Sequence, residues 1–197
     1  MNPFSRGFLI FFFKKPTENT FERAVIDVVD VPSIDLDPHH VGICLGDDLL
    51  IHAPTIGVKK ETIKEALSRS KPEAYEIWRF RDGTIDGKGL ERALSFAESK
   101  AGCEYNDIFS PNFRNSKGQE SYYCSQLVAE SFKADFPCEP MNFRGKNGDF
   151  LQYWVEYFAK RHQEIPQDQP GSHPAKIRKA ECLERVTRVD LRDSARL

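Results

Sequence analysis

The sequence predicts an α+β protein in which a mainly antiparallel sheet packs against helices. Three observations carry this reading. Short apolar runs with strand character cluster early in the chain, separated by turn residues. Helical periodicities lie before and after them, most clearly Leu90, Ala93, Leu94 and Ala97. Regular strand–helix alternation and a Gly-rich phosphate loop, which a doubly wound fold requires, are both missing.

The elements follow in order. Residues 8–13 form an apolar run ended by Lys14-Lys15-Pro16, too short to span a membrane and lacking a small-residue cleavage site after it. A buried strand is the better reading. Thr17 to Val29 is helical, with Phe21, Ala24, Val25 and Val28 on one side. A loop from Asp30 to Pro38 leads into a strand at 39–45, a turn at Gly46-Asp47-Asp48 and a second strand at 49–53. Residues 61–70 form a short helix, and 75–80 alternate as a third strand. The helix around Leu90 stops at Gly102. A polar loop, 105–120, delivers the chain to a helix that begins at Cys124 and ends before Pro137. Phe150, Trp154 and Tyr157 mark one more amphipathic helix, roughly 148–162. The composition then turns polar and charged, so the chain divides into one folded domain over 7–162 and, over 163–197, a linker with a charged C-terminal tail that forms at most a marginal helix.

Composition excludes several classes. A formal net charge of −2 offers no footprint for nucleic acid. Five cysteines, odd in number and without a C-x-x-C pair, form neither a disulfide framework nor a zinc knuckle. Reduced thiols and the lack of an evident signal peptide or membrane span predict a cytoplasmic protein.

Cys124 carries the chemistry. It opens an apolar helical pattern, and a helix start favours thiolate through its unpaired N–H groups. His40 and His52 lie on the two strands before it, and a thiol at a helix start with strand imidazoles is how a cysteine nucleophile is built. A three-residue turn at 46–48 places Gly42 opposite His52, which puts His40 and His52 on one face, diagonally about 7–8 Å apart. A two-residue turn at Asp47-Asp48 sends them to opposite faces. In the first register Cys124 is the nucleophile, His40 the general base and His52 the group that fixes the His40 ring. The Cys124 N–H supplies one oxyanion donor. His39 alternates away from His40 and is structural or exposed. Cys44 shares the His40 face but lies about 13 Å along the strand, too far for one ion to bridge. No metal or other cofactor is expected. Tyr105 and Tyr123 flank the site, either lining a substrate groove or packing as hydrogen-bonded aromatics.

These residues resemble a known family. His40-Val-Gly-Ile43, Gly46-Asp47, Ile51-His52-Ala53 and Gly57-Val58 are similar to the first half of the circularly permuted NlpC/P60 papain-like hydrolases, with the YiiX/YebB-like branch nearest. Phe21–Ile26, Gly102-Cys-Glu-Tyr-Asn-Asp107 and Tyr122-Tyr-Cys-Ser-Gln-Leu-Val128 resemble their later segments. The twelve-residue step from His40 to His52 is similar to that of lecithin:retinol acyltransferase-like relatives. Three positions depart from the pattern: Phe8 follows Gly7 in place of an acid, Gln126 stands where Glu is usual, and His52 stands where many of this branch carry an acidic or other polar residue.

The resemblance, over about residues 7 to 155, implies a permuted papain-like fold with the nucleophile at a helix N-terminus. It implies a cysteine hydrolase cleaving an amide, in a peptide or an N-acyl group, through a thioester on a Cys124–His40–His52 triad. A lipid acyl hydrolase or acyltransferase with the same triad is the alternative. A non-catalytic binding module is the third reading, supported by the departures at Phe8 and Gln126.

Overall fold

A computed structural model describes residues 4–15, 20–28, 37–133, 136 and 138–191. Six strands form the main sheet: β1 (Leu9–Phe13), β2 (His40–Gly46), β3 (Leu49–His52), β4 (Lys59–Thr62), β5 (Ala74–Phe80) and β10 (Leu183–Asp190). Their order is β10-β5-β1-β2-β3-β4, with every neighbouring pair antiparallel. Two-residue strands pair in the loops, β6 (Glu104–Tyr105) with β7 (Ser121–Tyr122) and β8 (Glu139–Pro140) with β9 (Pro170–Gly171).

The continuous apolar run at the start of the chain is explained by its place. β1 lies inside the sheet and is covered on both faces. Leu9, Phe11 and Phe13 join one core with Val41, Ile43, Leu127 and Val128, while Ile10 and Phe12 join a second with Cys44, Leu50 and Ile63. The first core is closed by α3 (Gly87–Ser99) and α4 (Cys124–Ser131), the second by α2 (Ile63–Ser70). A third, aromatic cluster joins α1 (Phe21–Asp27) to α5 (Gln152–Ala159) around Phe109, Phe143 and Trp154.

Local signals set the helix ends. Thr20 caps α1, its side chain accepting from the Arg23 N–H, and Asp86 caps α3. Of the helix expected over 17–29, residues 17–19 and 29 lie outside the described residues, as do 30–36 of the following loop. The helix expected over 61–70 begins only at Ile63, because Thr62 and Glu65 form a reciprocal capping box there. Residues 59–62 are the strand β4 instead.

The C-terminal boundary needs correction. The expected linker and tail from residue 163 contains α6 (Pro174–Arg178) and β10, and β10 forms the edge of the sheet beside β5. Its charges are structural. A bulge at Val186 puts Arg185 and Arg188 on one face, where both reach the fully buried Glu76 of β5 at 3.1 and 3.2 Å. Arg178 of α6 binds the same carboxylate at 2.7 and 3.1 Å, and the Trp78 indole N–H donates to it at 2.8 Å. A buried carboxylate is tolerated only with such partners.

Candidate active site

The hairpin between β2 and β3 decides whether the histidines meet. Asp47 and Asp48 form a two-residue turn with φ of 48° and 58°, the left-handed pair that suits a tight hairpin. That turn length alone separates the rings. A bulge between Cys44 and Gly46 restores the register, so Gly42 lies opposite His52 as the three-residue alternative requires. His40 and His52 therefore share a face. His40 Nε2 lies 2.8 Å from His52 Nδ1, with ring centroids 5.0 Å apart, and Phe12 packs on the His40 ring.

The chain of contacts continues beyond the expected pair. His52 Nε2 is 2.8 Å from Glu61 Oε1, and Arg69 grips the same carboxylate at 3.2 and 2.6 Å. Glu61 was not legible as a site residue. Lys59-Lys-Glu-Thr62 has no apolar alternation, and the capping box after it draws the segment toward a helix. Burial lowers the pKa of His40 well below its ordinary value, reinforced by His52 and His39. Burial lowers His52 too, against the pull of Glu61. Partial burial raises Glu61, but hydrogen bonds from Arg69 and His52 outweigh it and hold the carboxyl below its usual value.

Cys124 is the first residue of α4, whose N-cap Tyr123 makes no side-chain capping bond. α4 packs on β2, the strand that carries His40, which brings Cys124 to that strand. Burial pushes the thiol up to about 11, while the N–H groups of Val41, Ser125 and Cys124 itself draw it down. The structure thus joins the two imidazoles directly and packs the helix that begins at Cys124 on the strand that carries His40. Among the described residues no hydrogen bond links Cys124 to His40.

Tyr105 and Tyr123 both line a cavity of about 110 Å³ beside Cys124. Its lining is largely apolar, with Phe21, Val25, Phe109, Phe143 and Trp154, and also includes Ser172, His173 and Lys176. The segment expected as a linker therefore forms part of this wall. Tyr123 Oη accepts from the Ser172 N–H at 3.1 Å, and Ser125 Oγ donates to the Ser172 carbonyl at 3.1 Å, which pins the segment to the start of α4. Gln126, the departure from the expected acid, accepts from Asn106 Nδ2 at 2.9 Å and donates to the Ser110 carbonyl at 3.0 Å, so it fastens the loop before the helix. His39 is buried, not exposed, and burial lowers it to about 4. Cys44 is sealed in the second core, its thiol raised to about 12.

No group of three or more His, Cys, Asp or Glu among the described residues is disposed to hold a metal. His52 turns both ring nitrogens to protein partners, which leaves neither facing a shared ion. No helix among the described residues is long and apolar enough to cross a membrane.

The comparisons with known proteins agree with this architecture. The sequence model of a family described as a permuted papain-like amidase enzyme, YaeF/YiiX, C92 family, matches residues 15–186. The crystal structure of a protein described as metalloprotein yiiX from Escherichia coli O157:H7, DUF1105, superposes with a TM-score of 0.67 at 16% identity, covering 94% of this chain and 97% of that one. At that identity the likeness is one of fold. No curated protein matches the chain.

Proposed function

This chain belongs to the permuted papain-like amidase family, and from that premise we propose that it cleaves an amide with an apolar acyl half, using Cys124 as nucleophile. His40 is the general base and His52 the group that orients it. The observation that carries the reading is that the helix opened by Cys124 packs on the strand carrying His40, an imidazole that is itself hydrogen-bonded to a second.

The steps follow from these groups. The thiol proton passes to His40 as sulfur attacks the carbonyl carbon, and the carbonyl electrons settle on oxygen. The Cys124 N–H, at an uncapped helix start, is a donor to that oxyanion. Collapse breaks the C–N bond, His40 returns its proton to the nitrogen, and the amine leaves. Water then adds to the thioester and gives a proton to His40; the C–S bond breaks and sulfur takes the proton back. The raised thiol and lowered imidazole favour a neutral resting pair, so proton transfer accompanies attack.

The apolar cavity beside the sulfur favours an N-acyl group over a polar peptide. It equally supports the second reading, hydrolysis or transfer of a lipid acyl chain, since both place the chain in the same walls. Tyr105 and Tyr123 line the substrate side in either case.

The test uses an alkyl chloromethyl ketone, followed by mass spectrometry of the adduct, beside hydrolysis of N-acyl amides of increasing chain length. A Cys124 adduct that disappears in His40→Ala, with amide turnover abolished by Cys124→Ala, supports the proposal. A fold that retains no chemistry gives neither adduct nor turnover, and that result overturns it. Esters cleaved while amides are not, or acyl transfer to an added amine in place of water, select the lipid reading.

A further inference from the structure

We infer that Glu61 sets the proton polarity of the imidazole pair, holding both rings with hydrogen on Nε2 so that the lone pair on His40 Nδ1 is the free base. The argument starts at the carboxylate. Arg69 binds Glu61 through two donors, at 3.2 and 2.6 Å, which fixes it as an anion that only accepts. His52 Nε2, 2.8 Å from Glu61 Oε1, must therefore carry a hydrogen, because two acceptors do not meet at that distance. The His52 ring is fully buried, and a neutral imidazole has one donor and one acceptor. With Nε2 donating, Nδ1 accepts. His40 Nε2, 2.8 Å from that acceptor, must then donate, and the second nitrogen of His40 is left unprotonated.

The polarity comes from outside the pair. Two neutral histidines sharing one hydrogen bond satisfy it equally well in either direction, so nothing in their own contact chooses a basic nitrogen for His40. The choice is made by β4 and α2, which bring Glu61 and Arg69 to the far side of His52. Lys59, the residue opposite His52 in β4, is exposed and does not compete for the ring. Glu61 touches no reacting atom in this scheme and is a positioning residue that acts through two rings. When His40 takes a proton the same carboxylate faces the positive charge across His52. The assignment of a role to the free nitrogen rests on the cysteine-amidase reading; the tautomers themselves do not.

The test is nitrogen NMR of the full chain labelled with ¹⁵N-histidine at neutral pH, which reads the protonation of each ring nitrogen directly. The wild type is expected to show His40 and His52 both with hydrogen on Nε2 and bare Nδ1. Glu61→Gln puts an NH2 donor where one oxygen stood, against Arg69 or His52, and is expected to lose the single tautomer set. Glu61→Ala is expected to scramble them and to lower kcat by about tenfold or more with KM little changed, as loss of a tautomer-fixing acceptor does in related triads. A hydrogen on Nδ1 of either ring in the wild type overturns the inference, as do unchanged tautomers in Glu61→Ala. If Glu61→Ala does not fold, the wild-type and Glu61→Gln spectra still decide. Correct tautomers without amide turnover leave the inference standing and remove the hydrolase reading, so the two fail separately.

Discussion

Gly42 faces His52 across the β2–β3 ladder so closely that a methyl group on Gly42 stands 2.9 Å from the His52 Cβ. The same methyl meets Leu50 Cδ1 at 2.9 Å. A glycine between His40 and Ile43 is thus the space through which the two rings reach each other. Gly42→Ala is expected to cost about 1–3 kcal/mol by overpacking and to move the His52 ring off His40. Thermal unfolding reads the first effect, and the amide assay the second. Unchanged stability and turnover in Gly42→Ala contradict the account.

The thiol at the head of α4 behaves differently from a thiolate already paired with imidazolium. Burial holds Cys124 at about 11, so at pH 7 about one molecule in 10⁴ carries the thiolate. Cys138 is exposed. Iodoacetamide, which makes no use of the base, is therefore expected to label Cys138 before Cys124 at neutral pH. The Cys124 rate should climb with pH until about 11. Peptide mapping across a pH series checks this, and a Cys124 rate that levels off near neutrality refutes it.

How far the sequence reveals such a site depends on the range of the contacts. The His40–His52 pair is legible because strand alternation and turn parity are local, and the bulge before Gly46 gives the parity that a three-residue turn would. Cys124 at a helix start is legible for the same reason. Glu61 is not, since its partner His52 lies nine residues away across a strand pairing that Lys59–Thr62 does not announce. β10 is hidden more thoroughly. Its arginines look solvated in the sequence, yet they answer a carboxylate more than a hundred residues away.

His173 makes the fold sensitive to acid. Its Nε2–H donates to the Val25 carbonyl at 2.9 Å and its Nδ1 accepts from the Ala175 N–H at 3.1 Å, capping α6 and tying it to α1. Burial lowers the ring to about 4 from an ordinary 6.5. The unfolded chain therefore takes the proton first. The stabilisation is complete above pH 6.5 and is lost as pH falls toward 4, by about 2–4 kcal/mol for this ring. His173→Asn keeps a cap but loses Val25, so it should be about 1 kcal/mol less stable at pH 7 and show a shallower decline in acid. Denaturant unfolding at several pH values compares the slopes; parallel curves count against this role.

The three arginines around Glu76 predict that the C-terminal strand is needed for folding. Arg178 is buried against Glu76, and removing one partner of a buried pair costs about 3–5 kcal/mol. Glu76→Ala should fall in that range. Truncation after Lys179 removes Arg185 and Arg188 together with the strand that covers β5. That chain is expected to aggregate or melt well below the full protein. A truncated chain with an unaltered melting temperature rules the arrangement out.

The cavity beside Cys124 sets the last expectation. Val28 lines it and packs at the edge of the aromatic cluster, so a larger side chain there narrows the space without entering the main core. Each methylene of a substrate that the walls cover contributes about 0.8 kcal/mol. Val28→Trp should therefore leave the shortest N-acyl amides almost unaffected while lowering kcat/KM for longer chains, by about tenfold once two methylenes are displaced. A chain-length series in both proteins separates acyl-pocket loss from general damage. The first case bends the profile only beyond a threshold length, whereas the second lowers every point alike. A uniform drop, or a profile that does not change, takes the acyl chain out of this cavity.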